Sequence, residues 1–259
     1  MCIRDRSSEI LTAGLNTKEF DKSFNYRSLI GKLNYLERGT RSDISYIVHQ
    51  CARFTSNPKE QHGQAIKWLG RYLKATKNKG LRIKPKRGRM LEVYVDADFA
   101  GNFDKEESHL RDTARSRHGY IIMYDGVPIT WKSQLQTEIA LSSTESEYTG
   151  LSYALREAIP IMQLLKEMKT MGFPISGANA KMHCKVFEDN SGALEIAKIH
   201  KYRPRTKHLN VKLHHFRDYV TRGEIMINPI DTKDQLADYL TKPVNVHILR
   251  KLRKEVMGW

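Results

Sequence analysis

The stretch Leu91-Glu92-Val93-Tyr94-Val95-Asp96-Ala97-Asp98 decides the fold predicted for this chain. Its first half is rich in β-branched and aromatic side chains, which predicts a strand buried in a sheet. The strand leads directly into Asp96. A carboxylate at the end of a buried strand lies at an edge of the sheet, where neighbouring elements can bring further carboxylates close to it.

Three more acidic signatures follow in order: Ser143-Thr144-Glu145-Ser146-Glu147-Tyr148, Val186-Phe187-Glu188-Asp189-Asn190 and Gln235-Leu236-Ala237-Asp238-Tyr239. The middle one ends a strand pattern, and the other two lie in helical patterns. Carboxylates at strand ends and on helices packed beside them can converge, and converging carboxylates require cations. This pattern is typical of a site for two metal ions in a nuclease.

The composition indicates a polyanionic partner. The 259 residues carry a net charge of +15, and residues 56–90 hold eleven Lys or Arg against the single acid Glu60. A second basic stretch covers residues 198–222. A basic surface alone does not distinguish nucleic acid from an acidic membrane. No apolar run approaches the roughly eighteen residues of a membrane span, and we expect no signal peptide.

The three cysteines, Cys2, Cys51 and Cys184, are far apart and show no metal-binding spacing. They predict a reducing, intracellular compartment.

Hydrophobic periodicity predicts three helices within residues 26–80 and an alternation of strands and helices after residue 90. Predicted strands cover residues 91–98, 118–124, 127–132, 182–188 and 224–229, with a hairpin turn at Asp125-Gly126. Predicted helices cover residues 144–171, with a kink or break at Pro160, and residues 191–200, 207–222 and 233–241. This order implies a mixed sheet.

Six ordered motifs resemble the C-terminal part of the Pol polyprotein of copia-type LTR retrotransposons, where the end of the reverse transcriptase is followed by an RNase H domain. They are Tyr26-Arg27-Ser28-Leu29-Ile30-Gly31, Arg71-Tyr72-Leu73-Lys74, Asp96-Ala97-Asp98-Phe99-Ala100-Gly101, Ala140-Leu141-Ser142-Ser143-Thr144-Glu145, Thr206-Lys207-His208-Leu209 and Ala237-Asp238-Tyr239-Leu240-Thr241-Lys242. The resemblance implies an α/β fold, namely an RNase H-like mixed five-stranded sheet flanked by helices, preceded by a small helical thumb and connection remnant of the reverse transcriptase.

The domain boundaries expected from this resemblance are as follows. Residues 1–6 resemble the translation of a sequencing-library adapter, so we expect the reading frame to continue upstream. Residues 7–25 form a linker, 26–83 the helical remnant, 84–90 a basic linker, 91–243 the RNase H domain and 244–259 a C-terminal helical tail.

The resemblance also implies four catalytic, metal-binding carboxylates: Asp96, Glu147, Asp189 and Asp238. Two Mg²⁺ are the expected ions, with Mn²⁺ as a substitute. Asp98 is the reserve candidate for the first position.

Each of the later carboxylates has an alternative role. Glu147 fits a capping box with Thr144, and in that case Glu145 would be the metal ligand; the apolar stripe after Glu147 favours Glu147. Asp189 suits a helix N-cap, and Asp238 a solvated helix position.

Residues expected to contact nucleic acid fall in three groups. Ser142, Ser143 and Asn190 are candidates for the 2′-hydroxyls of an RNA strand. Lys207, His208, Lys212 and Arg217 are candidates for DNA phosphates. Lys67, Arg71 and Lys74 recur on one face of the third helix, where the alternative is an ordinary solvated surface.

Taken together, the resemblance implies an RNase H endonuclease that hydrolyses the RNA strand of RNA–DNA hybrids by two-metal-ion catalysis during retrotransposon reverse transcription. The expected partners are the hybrid and the upstream reverse transcriptase domain, without a membrane, in a cytoplasmic virus-like particle or the nucleus. No polymerase activity is expected, because the first ninety residues lack paired aspartates in a hairpin. The alternative is a catalytically silent or co-opted nucleic-acid-binding fragment. An integrase or Holliday-junction nuclease is disfavoured by the motifs outside the carboxylates.

Overall fold

The computed structural model describes residues 11–14, 17–175, 183–198 and 215–259. The helices are α1 (Tyr26–Gly39), α2 (Ser45–Ala52), α3 (Glu60–Ala75), α4 (Arg111–Ala114), α5 (Ser143–Thr170), α6 (Ser191–Lys198), α7 (Arg217–Thr221), α8 (Asp238–Thr241) and α9 (Val246–Met257). The strands are β1 (Leu91–Asp98), β2 (Arg117–Tyr124), β3 (Val127–Leu135), β4 (Cys184–Glu188) and β5 (Ile225–Pro229).

The five strands form one sheet in the order β3-β2-β1-β4-β5. β1 pairs with β2, and β2 with β3, in antiparallel register, whereas β4 is parallel to both β1 and β5. Asp125 and Gly126 have positive φ angles of 48° and 74°, as the two-residue hairpin turn between β2 and β3 requires. The predicted mixed sheet and its RNase H-like element order are confirmed.

Alternation along β1 directs side chains to two separate cores. Val93 and Val95 pack against α5 in a first core that also contains Leu151 and Leu155. Tyr94 faces the opposite side, where α8 and α9 cover the sheet in a second core. Asp96 has the same parity as Tyr94, so it lies on the α8 side of the sheet edge.

A third core holds α1, α2 and α3 together, and this helical unit contacts the sheet directly. The Trp131 indole on β3 donates to the Glu37 carbonyl at 2.9 Å. The hydroxyls of Ser42 and Tyr239 are hydrogen-bonded at 2.9 Å, next to Asp238 on α8. The helices therefore support the same edge of the sheet that carries the acidic residues.

Two helix predictions differ from the structure. α5 runs without a break through Pro160. Proline has no N–H to donate to the Arg156 carbonyl one turn earlier, but both residues are exposed, so water can bond to that carbonyl. The predicted helix over residues 233–241 is wrong in extent: a 3₁₀ turn covers Thr232–Asp234 and helix resumes only at Asp238. Gln235 between them is extended, with ψ 107°, because its buried side chain bonds to the sheet.

Parts of three predicted elements lie outside the described residues: position 182 of the fourth strand, positions 199–200 of α6, and positions 207–214 of the helix that ends with α7. Among the residues that the structure does describe, no helix is both long enough and apolar enough to cross a membrane.

Candidate metal centre

On the α8 side of the sheet edge, Asp96 and Asp238 share a lysine. The Lys242 ammonium lies 2.9 Å from Asp238 Oδ1 and 3.6 Å from Asp96 Oδ1. Lys242 follows Asp238 by one helical turn, which places the two side chains on the same face. The Thr241 hydroxyl donates to Asp96 Oδ2. Asp96 is thus fixed by two neighbours from the same short segment.

Gly119 allows α8 to come this close. It pairs with Asp96 across β1 and β2, and a Cβ at Gly119 would lie 2.6 Å from Leu240 Cβ. Any larger residue would push α8 away from the sheet. Gln235 holds the preceding segment, because its side-chain amide donates to Val95 O at 2.8 Å and its Oε1 accepts from Ala237 N.

On the α5 side, Glu147 and Glu188 face each other. β4 alternates in burial, and Glu188 has the parity of Cys184 and Val186, which belong to the core under α5. Both glutamates are buried. Asp189 follows at the strand end, where its Oδ2 accepts from the Thr232 hydroxyl at 2.9 Å.

The two sides meet at Asp189. Carboxylate oxygens of Asp96, Asp189 and Asp238 lie within 4.8 Å of one another, and the same is true of Glu147, Glu188 and Asp189. The structure therefore brings together all four carboxylates predicted from the sequence and adds Glu188. No described contact tests their catalytic role, which stays a prediction.

Burial and mutual repulsion raise the pKa values of several of these carboxylates. Burial, followed by the charge of Glu188, raises the pKa of Glu147 well above its usual range. Burial likewise raises the pKa of Glu188 to about 8 and, together with Asp96, that of Asp238 to about 6. Burial alone would lower the pKa of Lys242, but Asp96 and Asp238 raise it overall.

The residues present fit divalent cations. All the donors are hard carboxylate oxygens, the type that Mg²⁺ prefers. Within the described part of the chain, Glu147 Oε2 and Glu188 Oε2 are buried and have no hydrogen-bond partner. A buried carboxylate is costly without a counter-charge, and a cation is the natural one at this place.

Glu145 and Asp98, the alternative candidates for the metal site, belong to neither carboxylate group. Ser142, not Thr144, caps α5: its Oγ accepts from Glu145 N at 3.1 Å, and Glu145 Oε2 accepts from Leu141 N at 2.9 Å. The capping role thus belongs to Glu145, and the capping-box interpretation of Glu147 is wrong. Asp98 belongs to neither carboxylate group, and its carboxylate packs against Gly101.

The candidate RNA contacts lie beside the carboxylates. Ser143 is exposed at the first turn of α5, next to the cap residue Ser142. Asn190 Oδ1 accepts from Ala193 N at 2.9 Å, which places the Asn190 amide at the start of α6. The Thr144 hydroxyl joins the two helix starts through a 3.4 Å hydrogen bond to Asn190 Oδ1.

The candidate phosphate contacts have different surroundings. Lys67, Arg71 and Lys74 are exposed along α3. The half-buried Arg217 donates to Ile196 O at 2.8 Å, so it joins α7 to α6. Lys207, His208 and Lys212 lie outside the described residues.

Sequence reasoning missed four residues of the site: Glu188, Gln235, Thr241 and Lys242. Strand alternation was a usable signal for Glu188, because it lies on the same face of β4 as the buried residues Cys184 and Val186. Helical spacing was a signal for Lys242, four residues after Asp238. No sequence signal identifies Gln235 or Thr241, whose partners are distant in sequence.

No protein-family model matches the chain. It is 35% identical over 220 residues to the Retrovirus-related Pol polyprotein from transposon RE1 of Arabidopsis thaliana, covering 85% of this chain and 14% of the polyprotein. It is 34% identical over 233 residues to the polyprotein from transposon TNT 1-94 of Nicotiana tabacum, covering 90% of this chain and 16% of that protein. The chain thus spans about one seventh of these relatives.

Two further similarities are to a short protein and to a solved structure. The chain is 37% identical over 138 residues to Secreted RxLR effector protein 161 of Plasmopara viticola, covering 53% of this chain and 92% of that protein. Among solved structures, the chain is similar to the N-terminal RNase H domain of rv2228c from Mycobacterium tuberculosis, with 13% sequence identity and a TM-score of 0.37. The match covers 63% of this chain and 96% of that one. The sheet order of the chain is that of an RNase H-like fold. Its sequence relatives show that the chain belongs to the family of retrovirus-related Pol polyproteins of copia-type retrotransposons, of which it represents a segment.

Proposed function

We propose that this chain is an RNase H-type endonuclease that hydrolyses the RNA strand of RNA–DNA hybrids during retrotransposon reverse transcription. The observation that carries the proposal is the convergence of Asp96, Glu147, Asp189 and Asp238 at one edge of an RNase H-like sheet. Membership of the Pol polyprotein family supports it, because reverse transcription produces such hybrids.

These carboxylates would hold two divalent ions between them. Asp96 and Asp238 would hold one ion on the α8 side, Glu147 the other on the α5 side, and Asp189 lies close to both groups. Mg²⁺ is the proposed ion, and Mn²⁺ a substitute. When bound, such ions supply charge neutralisation for the attacking and leaving oxygens of an in-line displacement.

The protein's own contribution to the chemistry is to position the acidic side chains. Thr241 and Lys242 fix the orientation of the buried Asp96 carboxylate, and Gln235 ties the segment before α8 to β1. Glu147 is held at the head of the apolar face of α5, where Tyr148 and Leu151 are fully buried. These contacts hold the acidic side chains in place before substrate binds, which lowers the cost of reaching the productive geometry.

The substrate is recognised by shape and by the RNA 2′-hydroxyls rather than by sequence. Ser142, Ser143 and Asn190 lie at the starts of α5 and α6, beside Glu147 and Asp189, and can reach a strand that crosses the carboxylates. Lys67, Arg71 and Lys74 on α3, with Lys207, His208, Lys212 and Arg217, are the proposed phosphate contacts.

The proposed partner within the polyprotein is the upstream reverse transcriptase domain, and the proposed place of action is a virus-like particle or the nucleus. The second candidate function is nucleic-acid binding without catalysis, by a silent or co-opted fragment. The observation that favours it is the short relative from Plasmopara viticola, in which a similar stretch makes up nearly the whole protein.

One assay separates the two candidates. The purified chain is incubated with an RNA–DNA hybrid labelled on either strand, with Mg²⁺ or with a chelator, beside duplex DNA and single-stranded RNA. The nuclease proposal predicts Mg²⁺-dependent cleavage of the RNA strand of the hybrid alone. Binding of the hybrid without any cleavage supports the second candidate and contradicts the first.

A further inference from the structure

Glu188 is a buried carboxylate that none of the four predicted site positions explains. It ends β4 on the α5 side of the sheet and is 0% exposed. Its Oε1 accepts from Asn190 N at 3.1 Å, whereas its Oε2 has no hydrogen-bond partner among the described residues. One of its oxygens lies within 4.8 Å of ligand atoms of both Glu147 and Asp189. The unsatisfied side chain is therefore directed at the candidate metal centre.

The two sides of the centre differ in how their charge is balanced. On the α8 side, Lys242 forms ion pairs with Asp96 and Asp238. On the α5 side, the described residues supply no ion pair to Glu147 or Glu188, and both present an unpartnered oxygen. Two buried carboxylates this close repel each other strongly in a low-dielectric surrounding. A cation between them removes both the repulsion and the desolvation cost.

We propose that Glu188 is a fifth carboxylate ligand of the metal centre, which binds one divalent cation together with Glu147 and Asp189. The proposal rests on the divalent-ion chemistry of the proposed function. It extends that chemistry to a residue outside the four predicted ligands, and it makes the α5 side the position where a cation is most needed.

The test measures metal binding rather than cleavage. Binding of Mn²⁺ to the full chain is measured by titration calorimetry and by loss of the free Mn²⁺ electron paramagnetic resonance signal. Glu188→Gln, which keeps the shape and removes the charge, should weaken binding of one ion by about tenfold or more. In chelator its melting temperature should equal or exceed that of the wild type, because a buried acid that crowds Glu147 and Asp189 is replaced by a neutral amide. The rise of melting temperature on adding Mg²⁺ should be smaller.

Glu157→Gln is the matched control, because Glu157 is exposed on the same helix as Glu147 but ten residues further along, about 15 Å away. It should bind Mn²⁺ as the wild type does. If Glu188→Gln also keeps wild-type affinity and the full Mg²⁺ effect, Glu188 is only a buried acid that carries a proton, and the inference is overturned.

Two further outcomes are distinguishable. If Glu188→Gln does not fold, Glu188→Asp, whose carboxylate is one methylene shorter, must still bind Mn²⁺ more weakly than the wild type, and wild-type affinity in it contradicts the inference. If the wild type itself binds no Mn²⁺, the divalent-ion chemistry of the proposed function fails together with the inference.

Discussion

Glu145 and Glu147 are two residues apart at the start of α5, yet their side chains make different contacts. Glu145 belongs to the helix cap: its carboxylate accepts from Leu141 N, and its own backbone N–H donates to Ser142 Oγ. Glu147 is buried against Glu188 and near Asp96. The sequence offered both residues for the metal site and favoured Glu147 through the apolar stripe after it; the cap and the burial of Glu147 separate them in the structure.

We predict that Glu147→Gln loses hybrid cleavage and Glu145→Gln keeps it. Loss of a charge that would bind an ion should slow cleavage by at least about 100-fold, whereas loss of the Glu145 cap contact should cost roughly 1 kcal/mol of stability or less. Cleavage rates are compared at saturating Mg²⁺ and near half-saturation, where a weak secondary ligand would show. An inactive Glu145 variant beside an active Glu147 variant reverses the assignment.

The buried His118 on β2 should make the stability of the fold depend on pH. Its ring is fully buried, stacks on Tyr153 with 4.6 Å between ring centroids, and has no hydrogen-bond partner at either nitrogen among the described residues. Burial, with smaller contributions from Lys132 and Arg117, lowers its pKa from 6.5 to about 3. Because the folded-state pKa is the lower one, the stability that His118 contributes is complete above pH 6.5 and is lost as the pH falls toward 3.

His118→Leu should therefore remove part of the acid sensitivity of the fold. Relative to the variant, the wild type should lose up to about 1.4 kcal/mol per pH unit below pH 6.5, on the order of 5 kcal/mol in all. Urea unfolding in chelator over a pH series measures this difference, and the exposed His109→Gln is the control. Parallel pH curves for the wild type and His118→Leu would show that His118 is not held neutral.

At the scale of elements, α3 presents a basic face away from its core. Lys67, Arg71 and Lys74 are exposed there, while Ile66 and Leu69 are buried on the opposite side. Arg71 lies over the Trp68 ring at 5.4 Å and Lys67 is 3.7 Å from Asp21, which are weak surface contacts. The three side chains remain able to meet phosphates.

Replacing these three residues with Ala should weaken hybrid binding and flatten its salt dependence. Each lost phosphate contact lowers the slope of log K against log salt by about one. Fluorescence anisotropy over a range of salt concentrations measures the slope.

The control for this face is the same number of basic residues removed from α9, namely Arg250, Lys251 and Lys254, all exposed. An unchanged slope in the α3 variant assigns its face to plain solvation. An equal decrease in both variants means that net charge, rather than this face, sets the affinity.

Elements with strong periodicity were predictable, and those shaped by distant partners were not. The strand over residues 91–98 matches β1 because its apolar run is buried on both faces. α5 agrees with its prediction to within one residue at each end, because the apolar stripe after Glu147 is buried along the helix, although the cap is Ser142 and not Thr144. The helix predicted over residues 233–241 failed because Gln235 bonds to Val95 and Phe187, a contact that no local pattern reveals.

The same division holds for the candidate site. Its four predicted carboxylates were found through ordered motifs, and they lie at the ends of elements that the sheet order brings to one edge. Thr241 and Gln235 escaped prediction because hydroxyls and amides become informative only when their partners in space are known.

At the scale of the whole molecule, the helical unit and the sheet are joined by a buried polar network. Arg41 bonds through Nε and Nη2 to both Asp43 oxygens, each at 2.8 Å, and Asp43 accepts from Tyr72. Arg253 of α9 donates to the Tyr72 hydroxyl at 2.9 Å, and its guanidinium lies over Trp259. α9, which covers the sheet, is thus anchored in the helical unit, so the acidic edge is supported from both sides.

Asp96→Asn tests whether the converging carboxylates perform hybrid cleavage. The change removes one charge at nearly constant volume from the most deeply placed carboxylate on β1. Cleavage of a labelled RNA–DNA hybrid in Mg²⁺ is compared between the wild type and Asp96→Asn prepared in parallel, with hybrid affinity and circular dichroism measured on the same samples. We predict that the variant folds and binds the hybrid as the wild type does but cleaves at least about 100-fold more slowly. Cleavage by Asp96→Asn at the wild-type rate would contradict a catalytic role for these carboxylates.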